Sequence, residues 1–192
     1  MRIEGVILAA GRSKRTAPEW KLGFALDGQT VLERSVRSMR PFCIRIFIVT
    51  GAHAKAVGDL LRGQAGVTLV HNPDFASGMY GSVKTGLRCT DADAVFVLPG
   101  DCPFVPPEVY SALLNAQGGI AVPVWQGHAG HPVLLDRPAC SELLNDDTCQ
   151  TLRQFIASRQ HTLVEVDCPG ILMDIDTNEE YLGALRQVNG GE

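Results

Sequence analysis

The sequence predicts one α/β domain built on a doubly wound, mostly parallel sheet. Short apolar runs rich in β-branched residues alternate with helix-like stretches of about ten residues, which is the pattern of βαβ units. The chain has 192 residues, enough for one well-packed core. Its composition, with 45% hydrophobic and 20% charged residues, is that of an ordinary globular protein. We therefore expect a single domain over residues 1–192.

The first two thirds of the chain alternate strands and helices in this way. The β-branched runs predict strands at 3–8, 45–50, 67–71 and 94–99, and the amphipathic stretches between and after them predict helices at 31–39, 52–61, 82–88 and 107–116. Two further apolar runs, 119–124 and 132–136, flank a Gly- and His-rich connection typical of a hairpin. The sheet is expected to become mixed at that point.

The last third predicts helices at 138–144 and 151–158 and strands at 163–166 and 170–173. A closing helix is expected near 176–185. Asp176 or Thr177 can cap it, and Glu179 and Glu180 in its first turn suit the helix dipole.

Charge, hydropathy and cysteine pattern exclude several classes of protein. The net charge of −4 argues against a general nucleic-acid binder, whose affinity comes from many basic contacts to phosphate. No apolar run approaches the ~20 residues that cross a bilayer, and no signal-type segment begins the chain. The six cysteines include no C-x-x-C pair, which favours reduced thiols over disulfides or a zinc site. The sequence thus predicts a cytoplasmic protein that binds neither nucleic acid nor membrane.

Basic residues follow the first predicted strand, in the segment 9-AAGRSKR-15. Ligands bind beyond the carboxyl ends of strands in an open α/β sheet. The backbone around Gly11, with Arg12, Lys14, Arg15 and Lys21, suits a di- or triphosphate. The loop matches neither a Walker loop nor a dinucleotide-binding fingerprint, and such a segment on its own is more often a solvated turn.

Three aspartates complete the set of candidate ligands at strand ends. Asp101 follows an apolar strand and a glycine, where it can serve as a metal ligand or as a turn cap. Asp174 and Asp176 alternate along an extended segment and point the same way. Mg²⁺ is commonly held by one or two carboxylates together with substrate phosphates, which Asp101 and one member of this pair could provide. The alternative is that one of the pair caps the closing helix and the other is solvated.

Five motifs in order make the chain resemble the MobA-like nucleotidyltransferase family. They are LAAGRSKR followed by Lys21, HNPDFASGMYGSVKTGL, LPGDCP, GHPVLL and ILMDIDTNEEYL, and the resemblance extends from residue 3 to about 185. The chain is most similar to the molybdenum cofactor cytidylyltransferase branch. The resemblance implies a Rossmann-like three-layer α/β/α fold with a mostly parallel, mixed sheet. It also implies Mg²⁺-dependent transfer of CMP from CTP to the phosphate of the molybdenum–molybdopterin cofactor, followed by delivery to a molybdenum hydroxylase.

The same resemblance implies the roles of individual residues. Arg15, Lys21 and Asp101 would be catalytic, and Asp101 with Asp176, or Asp174, would hold the metal. The acceptor would contact Gly78, Met79, Gly130, His131 and Pro132. The nucleotide would be bound by Leu8, Ala9, Ala10, Gly11, Arg12, Ser13, Arg15, Lys21, Asn72, Ser82 and Gly100.

The chain departs from the family pattern between Arg15 and Lys21, where it reads RTAPEWK. Thr16 and Ala17 replace the usual Met and Gly; Ala17 disfavours a positive φ, and Pro18 fixes φ and lacks an N–H. The phosphate loop is therefore expected to differ from that of its relatives. A milder departure is Cys102, interpreted as tolerated variation and not as a nucleophile.

Two alternative functions remain open from the sequence. One is a guanylyltransferase or another small-molecule-phosphate nucleotidyltransferase of the same superfamily. The other, which the altered loop favours, is a non-catalytic carrier that binds the cofactor for a hydroxylase. The two aspartate motifs argue against the carrier, which has no use for metal ligands.

Overall fold

The main sheet of the molecule has eight strands, and its central strands are parallel to one another. The structure is a computed structural model that describes residues 1–13, 15–16 and 19–189. Its strands are β1 (Ile3–Ala9), β2 (Ala25–Leu26), β3 (Gln29–Thr30), β4 (Arg45–Thr50), β5 (Val67–His71), β6 (Ala94–Pro99), β7 (Ile120–Trp125), β8 (His128–Ala129), β9 (Val133–Asp136) and β10 (Thr162–Glu165). Its α-helices are α1 (Val31–Met39), α2 (Ala54–Leu60), α3 (Met79–Leu87), α4 (Pro107–Leu114), α5 (Arg137–Asn145), α6 (Leu152–Ala157) and α7 (Asn178–Asn189).

The main sheet has the order β10-β7-β9-β6-β1-β4-β5, with β8 beside β7. The central strand β1 is parallel to both β4 and β6. Strand β9 is antiparallel to β6 and to β7, so β7 runs in the same direction as β6. The expected mostly parallel sheet that becomes mixed after α4 is confirmed.

Helices cover both faces of the sheet, which makes three layers. The first strand, IEGVILA, is buried from Glu4 to Ala9 because both of its faces are covered. Ile7 belongs to the core cluster beneath α1, α2, α4 and α7, whereas Val6 belongs to the cluster beneath α3, α5 and α6. Because β1, β4, β5, β6 and β7 run in the same direction, their carboxyl ends lie along one edge of the sheet.

The cap of α7 is Thr177, one of the two residues predicted for that role. The Thr177 Oγ1 accepts the Glu180 N–H at 3.2 Å, and the Glu180 carboxylate accepts the Thr177 N–H at 2.8 Å. This is a reciprocal capping box. Because the Thr177 side chain caps the helix, the Asp176 carboxylate is left for other contacts.

One predicted strand is wrong. Residues 170–173 do not form a strand; Pro169–Leu172 form a single 3₁₀ turn. Pro169 lacks the N–H that a sheet ladder needs, and a Cβ on Gly170 would collide with the carbonyl oxygen of Phe104. The chain therefore packs as a turn against the loop after β6.

Helix α3 begins at Met79, three residues before its predicted start. Gly78 precedes it with φ of 118°, a conformation that side-chain-bearing residues rarely adopt. The earlier start places Met79 and Ser82 at the same sheet edge as the loops after β1 and β6.

Candidate nucleotide and metal site

An open cavity of about 700 Å³ lies at the edge where the parallel strands end. It receives residues from six parts of the chain: the loop after β1, the start of α3, the loop after β6, the connection from β8 to β9, helix α6, and the segment before α7. The predicted site residues that line it are Leu8, Ala9, Ala10, Gly11, Ser13, Arg15, Lys21, Gly78, Met79, Ser82, Asp101, Gly130, His131, Asp174 and Asp176.

A cluster of charged side chains lies inside this cavity. The Lys21 ammonium donates to Asp101 Oδ2 and, at 2.6 Å, to Asp176 Oδ1. Arg15 Nη1 donates to the other oxygen of Asp176, also at 2.6 Å. The side chains of Lys21 and Asp101 are only 14% and 16% exposed, so this pairing is largely shielded from solvent. Two of the three candidate metal ligands, Asp101 and Asp176, are thus paired with positively charged side chains.

Local packing explains why these groups meet. Leu22 is buried in the core and begins, with Lys21 and Gly23, a short 3₁₀ turn that presents Lys21 to the cavity. Ile175 is buried, and its N–H donates to the carbonyl oxygen of Asp101 at 3.0 Å. This hydrogen bond joins the segment before α7 to the loop after β6, so Asp176 comes beside Asp101.

The cluster shifts the protonation of its members. Burial alone would lower the pKa of Lys21, but the charge of Asp101 and hydrogen bonds to both aspartates raise it. Burial opposes ionisation of Asp176, yet hydrogen bonds and charges from Lys21 and Arg15 lower its pKa overall. Partial burial, with the charges of Asp101 and Asp176, raises the pKa of Asp174. Asp176 is therefore a carboxylate at neutral pH, and the Lys21 side chain that pairs with it is a charged ammonium.

The loop after β1 is shaped by Ser13 and Thr16. Ser13 adopts φ of 48°, and its carbonyl oxygen accepts the Thr16 N–H at 3.2 Å. The buried Thr16 hydroxyl lies 3.0 Å from the carbonyl oxygen of Glu19 and can donate to it. Thr16, which replaces the usual Met, therefore links Ser13 to Glu19 through these hydrogen bonds. Lys14, Ala17 and Pro18, which also figured in the sequence prediction, lie outside the described residues.

Gly11 keeps its backbone open to the cavity. It is exposed, and no described atom outside its immediate chain neighbours lies within 4 Å of where a Cβ would stand. Phosphate oxygens can therefore approach the loop backbone at this residue, as predicted for a Gly-rich loop that binds anions.

His131 lines the cavity from the connection between β8 and β9. Its N–H donates to the carbonyl oxygen of Ile171 at 2.9 Å, which fixes its backbone. Its Nδ1 is buried and has no hydrogen-bond partner among the described residues. Burial lowers the pKa of His131 to about 4, against the opposing charge of Asp101, so its imidazole is neutral at physiological pH.

Four predicted site residues do not line the cavity. Arg12 packs its guanidinium over the Phe75 ring, 5.4 Å from the centroid. Asn72 is buried, and its Nδ2 donates to Ser82 Oγ at 3.0 Å, so it positions Ser82. Gly100 donates its N–H to the Leu8 carbonyl oxygen at 2.9 Å, within the sheet edge. The fourth is Pro132, which is buried behind the cavity wall.

A second cavity, of about 510 Å³, adjoins the first and was not predicted from the sequence. The two share a wall that includes Gly78, Met79, Gly130 and His131. Arg153 on α6 also lines both cavities. No sequence signal marks α6 as part of the site, because its place depends on how α5 and α6 pack beside α3.

Comparison with known proteins gives consistent similarities. The profile of the MobA-like NTP transferase domain matches residues 5–164. The molybdenum cofactor cytidylyltransferase of Escherichia coli (strain K12) is 29% identical over 186 residues, which cover 96% of each chain. A nucleotidyl transferase of Methanothermobacter superposes with a TM-score of 0.86 at 22% identity, covering 100% of this chain and 99% of the other. A protein of Mycobacterium tuberculosis, solved in complex with manganese, superposes with a TM-score of 0.75 at 23% identity, covering 97% and 99%. These superpositions confirm the Rossmann-like nucleotidyltransferase fold.

Proposed function

Because the chain belongs to the MobA-like NTP transferase family and is a nucleotidyltransferase, we propose that it transfers CMP from CTP to the phosphate of the molybdenum–molybdopterin cofactor. The observation that carries this proposal is the cluster of Lys21, Arg15, Asp101 and Asp176 within one cavity at the sheet edge. The cluster supplies positively charged side chains that can bind a triphosphate and carboxylates that can bind a cation. The similarity to a cytidylyltransferase over almost the whole chain supports CTP as the donor.

The donor set of the cavity fits a hard divalent cation. Among residues 1–13, 15–16 and 19–189, no three metal-ligating side chains form a complete protein site. Two carboxylates are nevertheless sufficient for Mg²⁺, which keeps several waters and takes phosphate oxygens as further ligands. Asp101 and Asp176 would hold it. Bound there, the cation neutralises negative charge on the reacting phosphates.

Lys21 has to move for that cation to bind. Its ammonium lies between Asp101 and Asp176, and two positive charges cannot share that space. The phosphates of CTP offer Lys21 an alternative partner on the same side of the cavity. We expect Lys21 and Arg15 to transfer from the carboxylates to the β- and γ-phosphates, where they stabilise the charge that develops on pyrophosphate.

The reaction itself requires positioning and charge neutralisation. An oxygen of the acceptor phosphate attacks the α-phosphorus of CTP, and the bond from that phosphorus to the bridging oxygen of the β-phosphate breaks. Pyrophosphate leaves with the bonding electron pair. The acceptor oxygen is already ionised, so the step needs no general base, and the neutral His131 is not required to take a proton.

The base specificity is tested by pyrophosphate release with purified protein, Mg²⁺, molybdenum-loaded cofactor and each of CTP, GTP, ATP and UTP in turn. We expect release with CTP and at least ~10-fold less with the others, because a base pocket rejects bases that leave its polar groups unpaired. Pyrophosphate release with GTP and not with CTP would show that the protein is a guanylyltransferase. Repeating the assay with Mn²⁺ determines whether the metal requirement is specific to Mg²⁺.

A further inference from the structure

The second cavity differs in character from the first. Its walls come from strands β6, β7 and β9 and from α3 and α6, and they are mainly aliphatic: Val97, Val122, Val133, Leu152 and Ile156. It contains no carboxylate among the described residues that line it. Such a space suits the flat organic part of a ligand and not a triphosphate.

Arg153 stands where the two cavities join. It lines both, it is exposed, and its side chain forms no hydrogen bond or ion pair with any described residue. Arg15 and Lys21, the other arginine and lysine of the described cavity lining, are paired with aspartates. Arg159, nearby in sequence, is also paired, with Glu142 and Asp146. Arg153 therefore presents an uncommitted guanidinium to the junction.

We propose that Arg153 binds the phosphate of the acceptor and that the aliphatic cavity holds the acceptor's flat heterocycle. This assignment rests on the proposed function and adds a residue that the sequence did not identify. A phosphate monoester with its organic part in the second cavity must place its phosphate at the junction. From there it faces the α-phosphorus of a nucleotide bound along the loop after β1.

Charge balance supports the same placement. The acceptor phosphate approaches a second phosphate group beside Asp101, Asp174 and Asp176, so its negative charge must be compensated from its own side. A guanidinium can hold two phosphate oxygens at once, which fixes orientation as well as charge. The neutral imidazole of His131 cannot supply that charge, whereas the guanidinium of Arg153, unpaired among the described residues, can.

The test compares Arg153→Ala and Arg153→Lys with the wild-type protein in steady-state kinetics. Loss of a charge-assisted contact to phosphate should raise the acceptor KM by about 10- to 100-fold in Arg153→Ala. The KM for CTP should change by less than ~2-fold, and Lys should restore part of the loss because it keeps the charge without the bidentate geometry. Arg88→Ala is the matched control. It removes one exposed positive charge at the far end of α3 and should leave both constants unchanged.

Binding measured without turnover separates this proposal from the proposed function. Quenching of intrinsic fluorescence by the molybdenum-loaded cofactor should show the same weakening in Arg153→Ala even if no nucleotide is transferred. If the wild-type protein released no pyrophosphate but Arg153→Ala bound the cofactor less tightly, only the proposed function would fail. Unchanged cofactor affinity in a variant with wild-type circular dichroism would overturn the role of Arg153, and so would a rise in the CTP KM alone.

Discussion

At the scale of single residues, Lys21 has the most informative position. Its ammonium neutralises two carboxylates that the proposed reaction needs for binding a cation. It is also the positively charged group best placed to bind a triphosphate. Both roles follow from one geometry, since the ammonium can exchange carboxylate oxygens for phosphate oxygens within the cavity. The positions of Lys21 and Asp101 at the sheet edge could be predicted from the sequence. Their direct contact could not, because pairing of distant residues depends on tertiary packing.

Replacing Lys21 tests that double role. In Lys21→Ala we expect CTP binding to weaken by at least ~10-fold and CMP binding much less, because only the triphosphate extends to the β- and γ-phosphates. Mn²⁺ binding without nucleotide should become tighter, since Asp101 and Asp176 lose the competing ammonium. Isothermal titration with CTP, CMP and Mn²⁺ measures all three. Equal losses for CTP and CMP would show that Lys21 does not contact the outer phosphates, and weaker Mn²⁺ binding would exclude its competition with the cation.

At the scale of elements, the loop that joins α5 to α6 determines where Arg153 stands. Asp146 fixes this loop: its Oδ1 accepts the N–H groups of Thr148 at 2.7 Å and Cys149 at 3.0 Å. Its Oδ2 accepts from Arg159 at 3.2 Å. The short helix α6, with Phe155 fully buried, then packs beside α3. The helix itself was predicted from the sequence to within about a residue at each end, but its place beside the cavity was not.

The protonation of Asp146 provides a pH test of this loop. Hydrogen bonds from Thr148 and Cys149 hold the pKa of Asp146 well below its ordinary value. A lowered folded-state pKa stabilises the protein above the unfolded value, about 4, and this stabilisation is lost as the pH falls towards the folded value. Asp146→Asn should therefore unfold at a lower temperature than wild type at pH 7, and the difference should shrink below about pH 4. Thermal unfolding across pH 3–7 measures it, with Asp147→Asn as control because its side chain is 95% exposed. A difference that does not depend on pH would show that the charge of Asp146 does not stabilise the loop.

At the scale of the whole molecule, hydrophobic periodicity predicted the order of the strands and helices well. Strands that are buried on both faces appear in the sequence as apolar runs: Ala94–Pro99 is uninterrupted, and Ile3–Ala9 is interrupted only by Glu4 and Gly5. The wrong strand at 170–173 shows the limit of that signal, because the run ILM is apolar but follows Pro169 and Gly170. Asp101 could be predicted because it follows a strand closely, whereas Asp176 follows a 3₁₀ turn and could be predicted only from the resemblance to the family. The second, aliphatic cavity could not be predicted. Its lining residues look in the sequence like ordinary core residues, and only the packing of the helices shows that they surround a cavity.

Nucleotidyl transfer to a phosphate acceptor is tested most directly by the stoichiometry of pyrophosphate released from CTP. We expect one pyrophosphate for each dinucleotide formed, with no release when either the loaded cofactor or the divalent metal is omitted. Asp101→Asn should lower turnover at least ~100-fold with circular dichroism unchanged, because it removes a charge that the reaction needs and keeps the shape of the side chain. Tight binding of the cofactor by the wild-type protein with no pyrophosphate released from any nucleotide would contradict nucleotidyl transfer and favour a carrier.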